Sequence, residues 1–270
     1  MDTASAHDAT AVGEGLPPAL PSVHRFRCHI EAQDPLSLPA FPGSALRGLI
    51  GFGLRRTVCV TGQKRCDDCP LTASCAYYRF FEDSRPRGEE GRAAQAGPHP
   101  YVLDVPPAPG PVLEPGARYT FGLTLLGEAR HLVPYLVVGV NRAGQQRGLG
   151  PRDARFTLGL LEQEQRLGRE DWVPVGGQGE VTVRALETAQ TPGAPGAGVV
   201  AVELRSPLRL KRRGRLVGPQ EFTPALFLEA LGLRLADLAR TFGEPGPSGA
   251  HLPLPGSPPA EAFGAPEVGL

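Results

Sequence analysis

The segment from Ala40 to Phe81 constrains this 270-residue chain most, because it joins a glycine-containing helix to four closely spaced cysteines. The thiols follow a C-x6-C-x2-C-x5-C pattern and belong to Cys59, Cys66, Cys69 and Cys75. Four thiols in so short a segment can converge on one metal ion without help from the rest of the fold. The central pair resembles a knuckle that presents two thiolates from a tight turn, so the sequence predicts a metal site here.

The spacing predicts a metal more strongly than it predicts which metal. Four thiolates satisfy a tetrahedral structural zinc, and a zinc with four protein ligands has no open position for catalysis. An iron–sulfur cluster is the alternative, since Pro70 directly follows Cys69. A loop without bound metal is the third possibility. We expect the loop at 57–82 to hold a structural zinc and to dock through four aromatic residues, Tyr77, Tyr78, Phe80 and Phe81.

The charge of the chain is balanced overall but unevenly distributed. The formal net charge is zero, yet 15 of the 28 Lys and Arg residues lie in three windows without Asp or Glu, at 35–66, 129–152 and 204–220. Segregated positive charge is what a polyanion surface requires, and the net value hides it. The simpler interpretation is three ordinary solvated faces. We expect the fold to gather this charge onto one continuous surface.

Hydrophobic periodicity predicts an α+β fold. Residues 22–32 alternate as a strand with one buried face, on which Cys28 is a core residue and not a fifth metal ligand. Ser44 is expected to cap the helix that follows. The remaining predicted elements are strands at 101–105 and 119–126, a helix at 130–142 and a strand at 155–161. This order is that of a ferredoxin-like unit with four strands in one sheet and two helices on one face.

The domain organisation expected from the sequence is one complete ferredoxin-like unit at 22–165 and a partial second unit at 166–243. The second unit contains predicted strands at 180–186 and 199–205 and a helix from Thr223 to Phe242. We expect disordered tails at 1–21 and 244–270, which are rich in small, polar and proline residues. The second unit lacks its later strands, so the apolar stripe of its helix is expected to be partly uncovered.

The chain shows no apolar run long enough for a membrane span and no secretory signal pattern at its N-terminus. We therefore expect a cytoplasmic protein, in which clustered thiols indicate a metal site more often than disulfides.

Two basic segments are candidates for phosphate contacts. The loop from Gly144 to Arg152 carries three glycines, at 144, 148 and 150, whose neighbouring N–H groups can face a phosphate, and two arginines. Taken alone, a plain turn between helix and strand is the simpler interpretation. The segment from Lys211 to Arg215 carries four cations in five residues and is predicted to be a hairpin tip.

These residues together resemble the CRISPR-associated RAMP proteins, and more narrowly their branch of precursor-crRNA-processing endoribonucleases. The resemblance rests on Pro42–Gly48 at the start of a helix, the cysteine cluster ending in Cys75-Ala76-Tyr77, the loop Gly144–Gly150 leading to Arg155-Phe156, and Ser206–Lys211. It implies tandem ferredoxin-like units, binding of CRISPR repeat RNA, possible association with other effector subunits, and metal-independent cleavage that leaves a 2′,3′-cyclic phosphate.

From the charge pattern and this resemblance, we expect fifteen residues to contact RNA. They are Arg25, Arg27, His29, Arg47, Arg55, Arg56, Gly144, Arg147, Gly148, Gly150, Arg152, Lys211, Arg212, Arg213 and Arg215.

The sequence departs from the family in its catalytic base. Cleavage by a 2′-hydroxyl needs an acid–base pair, usually including a histidine, and the family places this group on or near the first helix. Residues 44–58 contain no His, Tyr or Lys. His29, on the basic face of the first strand, is the remaining candidate, and no base is assigned. Two alternatives stay open: a catalytically silent RNA-binding subunit, and an iron–sulfur or zinc protein unrelated to RNA.

Overall fold

The computed structural model describes residues 20–82, 97–107, 112–177, 201–204, 208–212 and 214–243. Its main body consists of β1 (Val23–Ala32), α1 (Gly43–Val58), β2 (Tyr101–Asp104), β3 (Arg118–Leu126), α2 (Val133–Gln146), β4 (Phe156–Glu164) and β5 (Trp172–Gly177). The strands form one sheet in the order β2-β3-β1-β4-β5, with every neighbouring pair antiparallel. The first four strands and two helices have the predicted ferredoxin-like order.

The strand β5 was not predicted, and it extends the sheet of the first unit. Its residues pair with β4, from Glu164 opposite Trp172 to Leu160 opposite Gly177. The sheet therefore continues past the predicted boundary at residue 165.

The core lies between one face of the sheet and the two helices. Alternate residues of β1 are buried, beginning with His24 and including Phe26, Cys28 and Ile30, as the period of two predicts. The apolar stripe of α1 packs against the same face through Leu46, Leu49, Ile50 and Leu54. Cys28 is only 4% exposed, and burial raises the pKa of its thiol to about 12, which confirms its place in the core.

The two helices cross at a pair of glycines. A Cβ atom built on Gly53 would lie 2.0 Å from the carbonyl oxygen of Gly139, so neither position has room for a side chain. This close approach offsets the poor helix propensity of Gly53. The start of α1 differs from the prediction: the helix begins at Gly43 after Pro42, and no side chain caps it, so Ser44 is not the N-cap.

The second part of the chain contains a short hairpin, β6 (Lys211–Arg212) and β7 (Arg215–Leu216), and the helix α3 (Pro224–Phe242). The Thr223 hydroxyl accepts a hydrogen bond from the Leu226 N–H and caps α3. Much of the predicted apolar stripe is uncovered, since Leu231 is 44% exposed and Leu228 and Leu235 are 36% exposed. This exposure confirms the expectation for α3.

Several predictions lie outside the described residues. They are the strand at 180–186, residues 199, 200 and 205 of the strand at 199–205, Arg213, and the two tails apart from Leu20 and Pro21. The described residues 201–204 do not form a strand, so the strand predicted at 199–205 is wrong there. Within the described segments, no helix combines the length and the apolar character that crossing a bilayer demands.

Candidate functional site

The cations of β1 lie on the sheet face opposite the helices, and each has an acidic partner there. Arg25 donates to Glu164 at 2.8 Å, and Arg27 forms an ion pair with Glu170. The Arg27 guanidinium also lies 3.9 Å from the ring centroid of Trp172. These charges are already compensated within the protein, so an RNA phosphate would have to compete with carboxylates for them.

His29 lies on the same face, between two polar side chains. Its Nδ1 atom is 2.8 Å from the Thr120 hydroxyl, and its Nε2 atom is 2.7 Å from a Glu162 carboxylate oxygen. The imidazole and the carboxylate are about one-fifth exposed. A carboxylate on one ring nitrogen orients the imidazole, and an imidazole held in this way is a group that can exchange a proton with a bound ligand.

The fifteen residues predicted to contact RNA therefore do not all share one surface. Side chains alternate along a strand, so Arg25, Arg27 and His29 face away from the core that α1 and α2 cover. The arginines of α1 and α2 lie in the helical layer on the other side of the sheet. The fold divides these basic residues between two opposite faces. The arginines of β1 have acidic partners, whereas arginines without an acidic partner among the described residues lie in the helical layer.

In the helical layer, two arginines lie over one aromatic ring, and a third arginine contacts the backbone of one of them. The Cζ atoms of Arg56 and Arg147 lie 5.6 and 5.3 Å from the ring centroid of Phe52. Arg142 donates to the carbonyl oxygen of Arg56 at 2.6 Å. We call these four residues the Phe52 cluster. Its three arginines form no ion pair within the described part of the chain, and Arg56 and Arg147 are exposed.

The glycine crossing explains why these residues meet. Gly53 and Gly139 allow α1 and α2 to touch, which brings Arg142 and Arg147 of the second helix end alongside α1. Like charges repel at this distance, and the π face of Phe52 offsets part of that repulsion, by about 0.5–1 kcal/mol for an exposed pair. The cluster is thus a preformed patch of uncompensated positive charge, which is the electrostatic requirement for binding a polyanion.

The other two arginines of α1 have structural partners. Arg47 donates to the Tyr101 hydroxyl at 2.9 Å and lies over the ring of Phe81. Arg55 donates to the carbonyl oxygens of Gln63 and Lys64, in the cysteine loop. Neither guanidinium is as free as those of the Phe52 cluster.

The glycine-rich loop is shorter than predicted, and each of its glycines is required by local packing or backbone conformation. Gly144 belongs to α2 and packs against Phe156. Gly148 and Gly150 adopt positive φ angles, and a Cβ atom on either would strike a backbone carbonyl oxygen. The N–H groups of Arg147 and Gly148 both donate to the Ala143 carbonyl oxygen, so they do not face a phosphate. The exposed side chain of Arg152 remains available.

The predicted basic hairpin tip is present as the turn between β6 and β7. Lys211 pairs with Leu216, Arg212 pairs with Arg215, and Gly214 makes the turn at a φ of 81°. Arg212 and Arg215 line an open cleft of about 370 Å³ together with Glu221, which lies just before α3. The hairpin is exposed, as a phosphate-binding tip must be.

The four cysteines line one open cleft of about 280 Å³ beyond the end of α1. None forms a disulfide, and all four are half-buried. The Thr61 hydroxyl oxygen lies 3.9 Å from the Cys59 sulfur and 3.6 Å from the Cys69 sulfur. No three His, Cys, Asp or Glu side chains of the described segments lie close enough together to hold an ion as they stand.

The loop is anchored to the core through its aromatic end, as expected. Phe80 is fully buried and stacks on Tyr101 with ring centroids 4.3 Å apart, and Tyr78 is 5% exposed. Tyr77 stacks on Phe81 at 5.6 Å. The cysteine loop is therefore an insertion fixed at both ends, by α1 and by this aromatic group.

The thiols differ in their tendency to ionise. The backbone N–H of Gly62 holds the pKa of Cys59 below its ordinary value, with help from the Thr61 hydroxyl and the Arg55 guanidinium. Burial raises the pKa of Cys66, while Arg55 acts in the opposite direction. A cation next to these sulfurs favours the thiolate, which is the form that binds metal.

Sequence reasoning missed two members of the candidate site, Phe52 and Arg142. The signal for Phe52 was present, since Phe52 and Arg56 are four residues apart and share one helix face. No local signal places Arg142 against the end of α1, because that contact depends on the helix crossing.

Comparison with known proteins supplies a family. The model of the family AF_1859_N, described as an N-terminal domain, matches residues 20–188. A protein of Archaeoglobus fulgidus without an assigned function is 25% identical over 108 residues, which cover 40% of this chain. The match spans 36% of that relative, so the chain corresponds to about a third of its length.

A crystal structure of the Csm3-Csm4 subcomplex of the type III-A CRISPR-Cas interference complex contains a chain with 14% identity to this one. The alignment covers 54% of this chain and 81% of the other, with a TM-score of 0.37. A similarity of this size does not establish a shared fold or function. The family match covers more than half of the sequence, and the chain therefore belongs to the AF_1859_N family.

Proposed function

We propose that this protein binds RNA as a CRISPR-associated RAMP protein, through the helical face of its ferredoxin-like unit. The sequence resemblance of Pro42–Gly48 and Ser206–Lys211 to that superfamily supports the assignment. The order of the strands supports it too, because the resemblance implies a ferredoxin-like unit. The resemblance further implies CRISPR repeat RNA as the ligand and other effector subunits as partners.

The observation that carries the proposal is the Phe52 cluster. Two guanidinium groups lie over one ring there and a third binds the adjacent Arg56 carbonyl, all without a carboxylate partner among the described residues, whereas the sheet-face arginines are neutralised. Guanidinium groups bind phosphate through charge-assisted, often bidentate hydrogen bonds. An aromatic ring beside them also suits single-stranded RNA, whose bases stack on aromatic side chains.

The test is the salt dependence of RNA binding. Each phosphate neutralised on a single strand contributes about 0.7 to the slope of log K against log salt. Arg56→Gln combined with Arg147→Gln removes two cations but keeps Arg142, which holds the end of α1. We expect weaker binding of a CRISPR repeat RNA and a slope shallower by about 1.4.

A matched control removes the same charge from the sheet instead of the helical layer. Arg118 pairs with Glu31 and Arg155 pairs with Asp34, and both arginines are exposed. Arg118→Gln combined with Arg155→Gln should leave the slope close to that of the unmodified protein. Equal slopes for the two double variants would show that only overall charge matters and would remove the basis of the assignment.

Cleavage of the bound RNA is the second candidate function, and His29 is the observation that favours it. Held between Thr120 and Glu162, the imidazole is positioned to move a proton, and metal-independent cleavage requires such a group. The sheet face that carries His29 is opposite the Phe52 cluster, so RNA held by the cluster would have to reach around the sheet. This separation makes binding without cleavage the better-supported proposal.

The two candidates differ in one assay. Repeat RNA incubated with the protein in EDTA should give products ending in a 2′,3′-cyclic phosphate if the chain is a nuclease, and His29→Gln should abolish them. Bound but intact RNA would leave the binding function standing and eliminate the nuclease.

A further inference from the structure

The cysteine loop has little to hold its shape apart from its two anchored ends. Between Cys59 and Cys75 the chain is largely exposed and contributes no residue to the hydrophobic core. Its backbone forms isolated turns, such as Cys69 N–H to Cys66 carbonyl at 3.0 Å. A polar segment of this kind gains little stability from burying side chains. Holding its four thiols around one cleft therefore requires another stabilising interaction.

One side chain reaches into this loop from the helix. Arg55 donates through Nη2 to the carbonyl oxygen of Gln63 at 2.5 Å and to that of Lys64 at 3.2 Å. Its Cζ atom lies 5.6 Å from the ring centroid of Tyr77. Arg55 therefore fastens the middle of the loop to α1 and to the aromatic end of the loop at once.

The same guanidinium lies next to the sulfurs. It hydrogen-bonds to the Cys59 sulfur and interacts electrostatically with Cys66, in addition to its hydrogen bonds to two neutral carbonyl oxygens. Four thiolates around a divalent ion carry a net charge of about −2, and an adjacent cation offsets part of it. An arginine at this position is thus placed both to shape the loop and to compensate the charge of a tetrathiolate centre.

We propose that Cys59, Cys66, Cys69 and Cys75 bind one zinc ion in a closed, structural site, and that Arg55 is its positioning residue. The four sulfurs line one cleft, and binding of the zinc ion draws them together from their present spacing. Zinc accepts four thiolates in tetrahedral geometry and contributes directly to the folding of small loops. The site is independent of the RNA-binding proposal, because none of its ligands belongs to the Phe52 cluster.

Metal content and cobalt substitution test the site itself. The full-length protein should contain one zinc per chain, and its cobalt form should show the strong visible bands of a tetrahedral thiolate centre. Cys66→Ser and Cys69→Ser should each abolish those bands, whereas Cys28→Ala should keep them, since Cys28 is buried in the core. Absence of bound metal, or a brown protein containing iron and sulfide, would overturn the proposal.

The role of Arg55 is tested by zinc affinity, measured by competition with a chromophoric chelator. Removal of an outer-shell partner typically weakens metal binding by about 10–100-fold, and we expect Arg55→Ala to fall in this range. Arg55→Lys keeps the charge but loses the planar fork, so it should be intermediate. Arg118→Ala, at an exposed arginine of β3 that pairs with Glu31, is the control and should bind zinc normally. An unchanged affinity and cobalt spectrum in Arg55→Ala would refute the positioning role, and helicity by circular dichroism shows whether each variant is folded.

Discussion

Replacing Gly53 by alanine should destabilise the protein, although alanine is the better helix former. The added Cβ would lie 2.0 Å from the Gly139 carbonyl oxygen, 2.6 Å from its carbonyl carbon and 3.0 Å from the Ala143 Cβ. Two of these contacts are with backbone, which cannot swing aside as a long side chain does. The helices must therefore separate at their crossing, or the native packing is lost.

The magnitude follows from two opposing effects. Alanine gains about 1 kcal/mol over glycine in a helix interior, and overpacking of a tight contact costs about 1–3 kcal/mol. Gly48 lies on the exposed side of the same helix, with nothing within 4 Å of a built Cβ. Gly48→Ala should therefore stabilise by up to about 1 kcal/mol. The difference between the variants isolates the steric effect, about 1–3 kcal/mol.

The assay is equilibrium unfolding in urea, with the midpoint and slope compared among the unmodified protein and both variants. We expect the midpoint to rise for Gly48→Ala and to fall, or at most stay level, for Gly53→Ala, at an unchanged slope. If both substitutions raised the midpoint equally, α1 and α2 would not touch at Gly53 and Gly139. The account of how the Phe52 cluster is assembled would then fail.

Three further predictions concern single groups. Cys28 should resist alkylation in the native protein and react only on unfolding, unlike the four loop thiols, because burial raises its pKa to about 12. Hydrogen bonds from Arg155 hold the pKa of Asp34 below its ordinary value. This carboxylate therefore favours the folded state above the pH at which it titrates in the unfolded chain, and that contribution is lost as the pH falls through its folded-state pKa. Asp34→Asn should thus unfold more easily than the parent at neutral pH but equally at strongly acid pH, as measured by thermal melts; a difference that persists in acid would contradict this. Thr223→Ala removes the cap of the Leu226 N–H and should destabilise α3 by about 1 kcal/mol, seen as reduced helicity by circular dichroism; unchanged helicity would show that the cap is dispensable.

Elements with a strong local period were predictable from the sequence. The alternation of β1 and the leucine spacing of α1 and α3 are consequences of which side chains avoid water, and each element appears within a few residues of its expected bounds. The end of the cysteine loop was also predictable, since clustered aromatic residues after a polar loop seek the core.

Features that depend on pairing between distant segments were not predictable. The partner of Arg25 is Glu164, which is 139 residues away and reaches it only because β1 and β4 are neighbours. From the sequence alone, the arginines of β1 look like uncompensated positive charge. In the structure, carboxylates neutralise them. The strand β5 was not predicted because Pro174 and two glycines weaken the alternating hydrophobic pattern of its sequence.

The candidate site was only partly predictable from the sequence, because it too depends on contacts between distant segments. Acid-free windows indicate the right helices. The choice between Arg56, which has no acidic partner among the described residues, and Arg47, which is bonded to Tyr101, depends on side-chain contacts. The glycines of the loop after α2 look suited to phosphate, whereas their conformations are those required by a tight turn.

The two outer strands of the sheet limit where a further strand can be added to it. At one margin β2 is only four residues long and runs into Pro106 and Pro107. At the other, β5 carries Pro174, which has no N–H to offer an incoming strand, and it ends in paired glycines. Neither margin is a good template for strand addition. A second ferredoxin-like unit, or a neighbouring subunit, is therefore expected to attach through helices or loops and to build a sheet of its own.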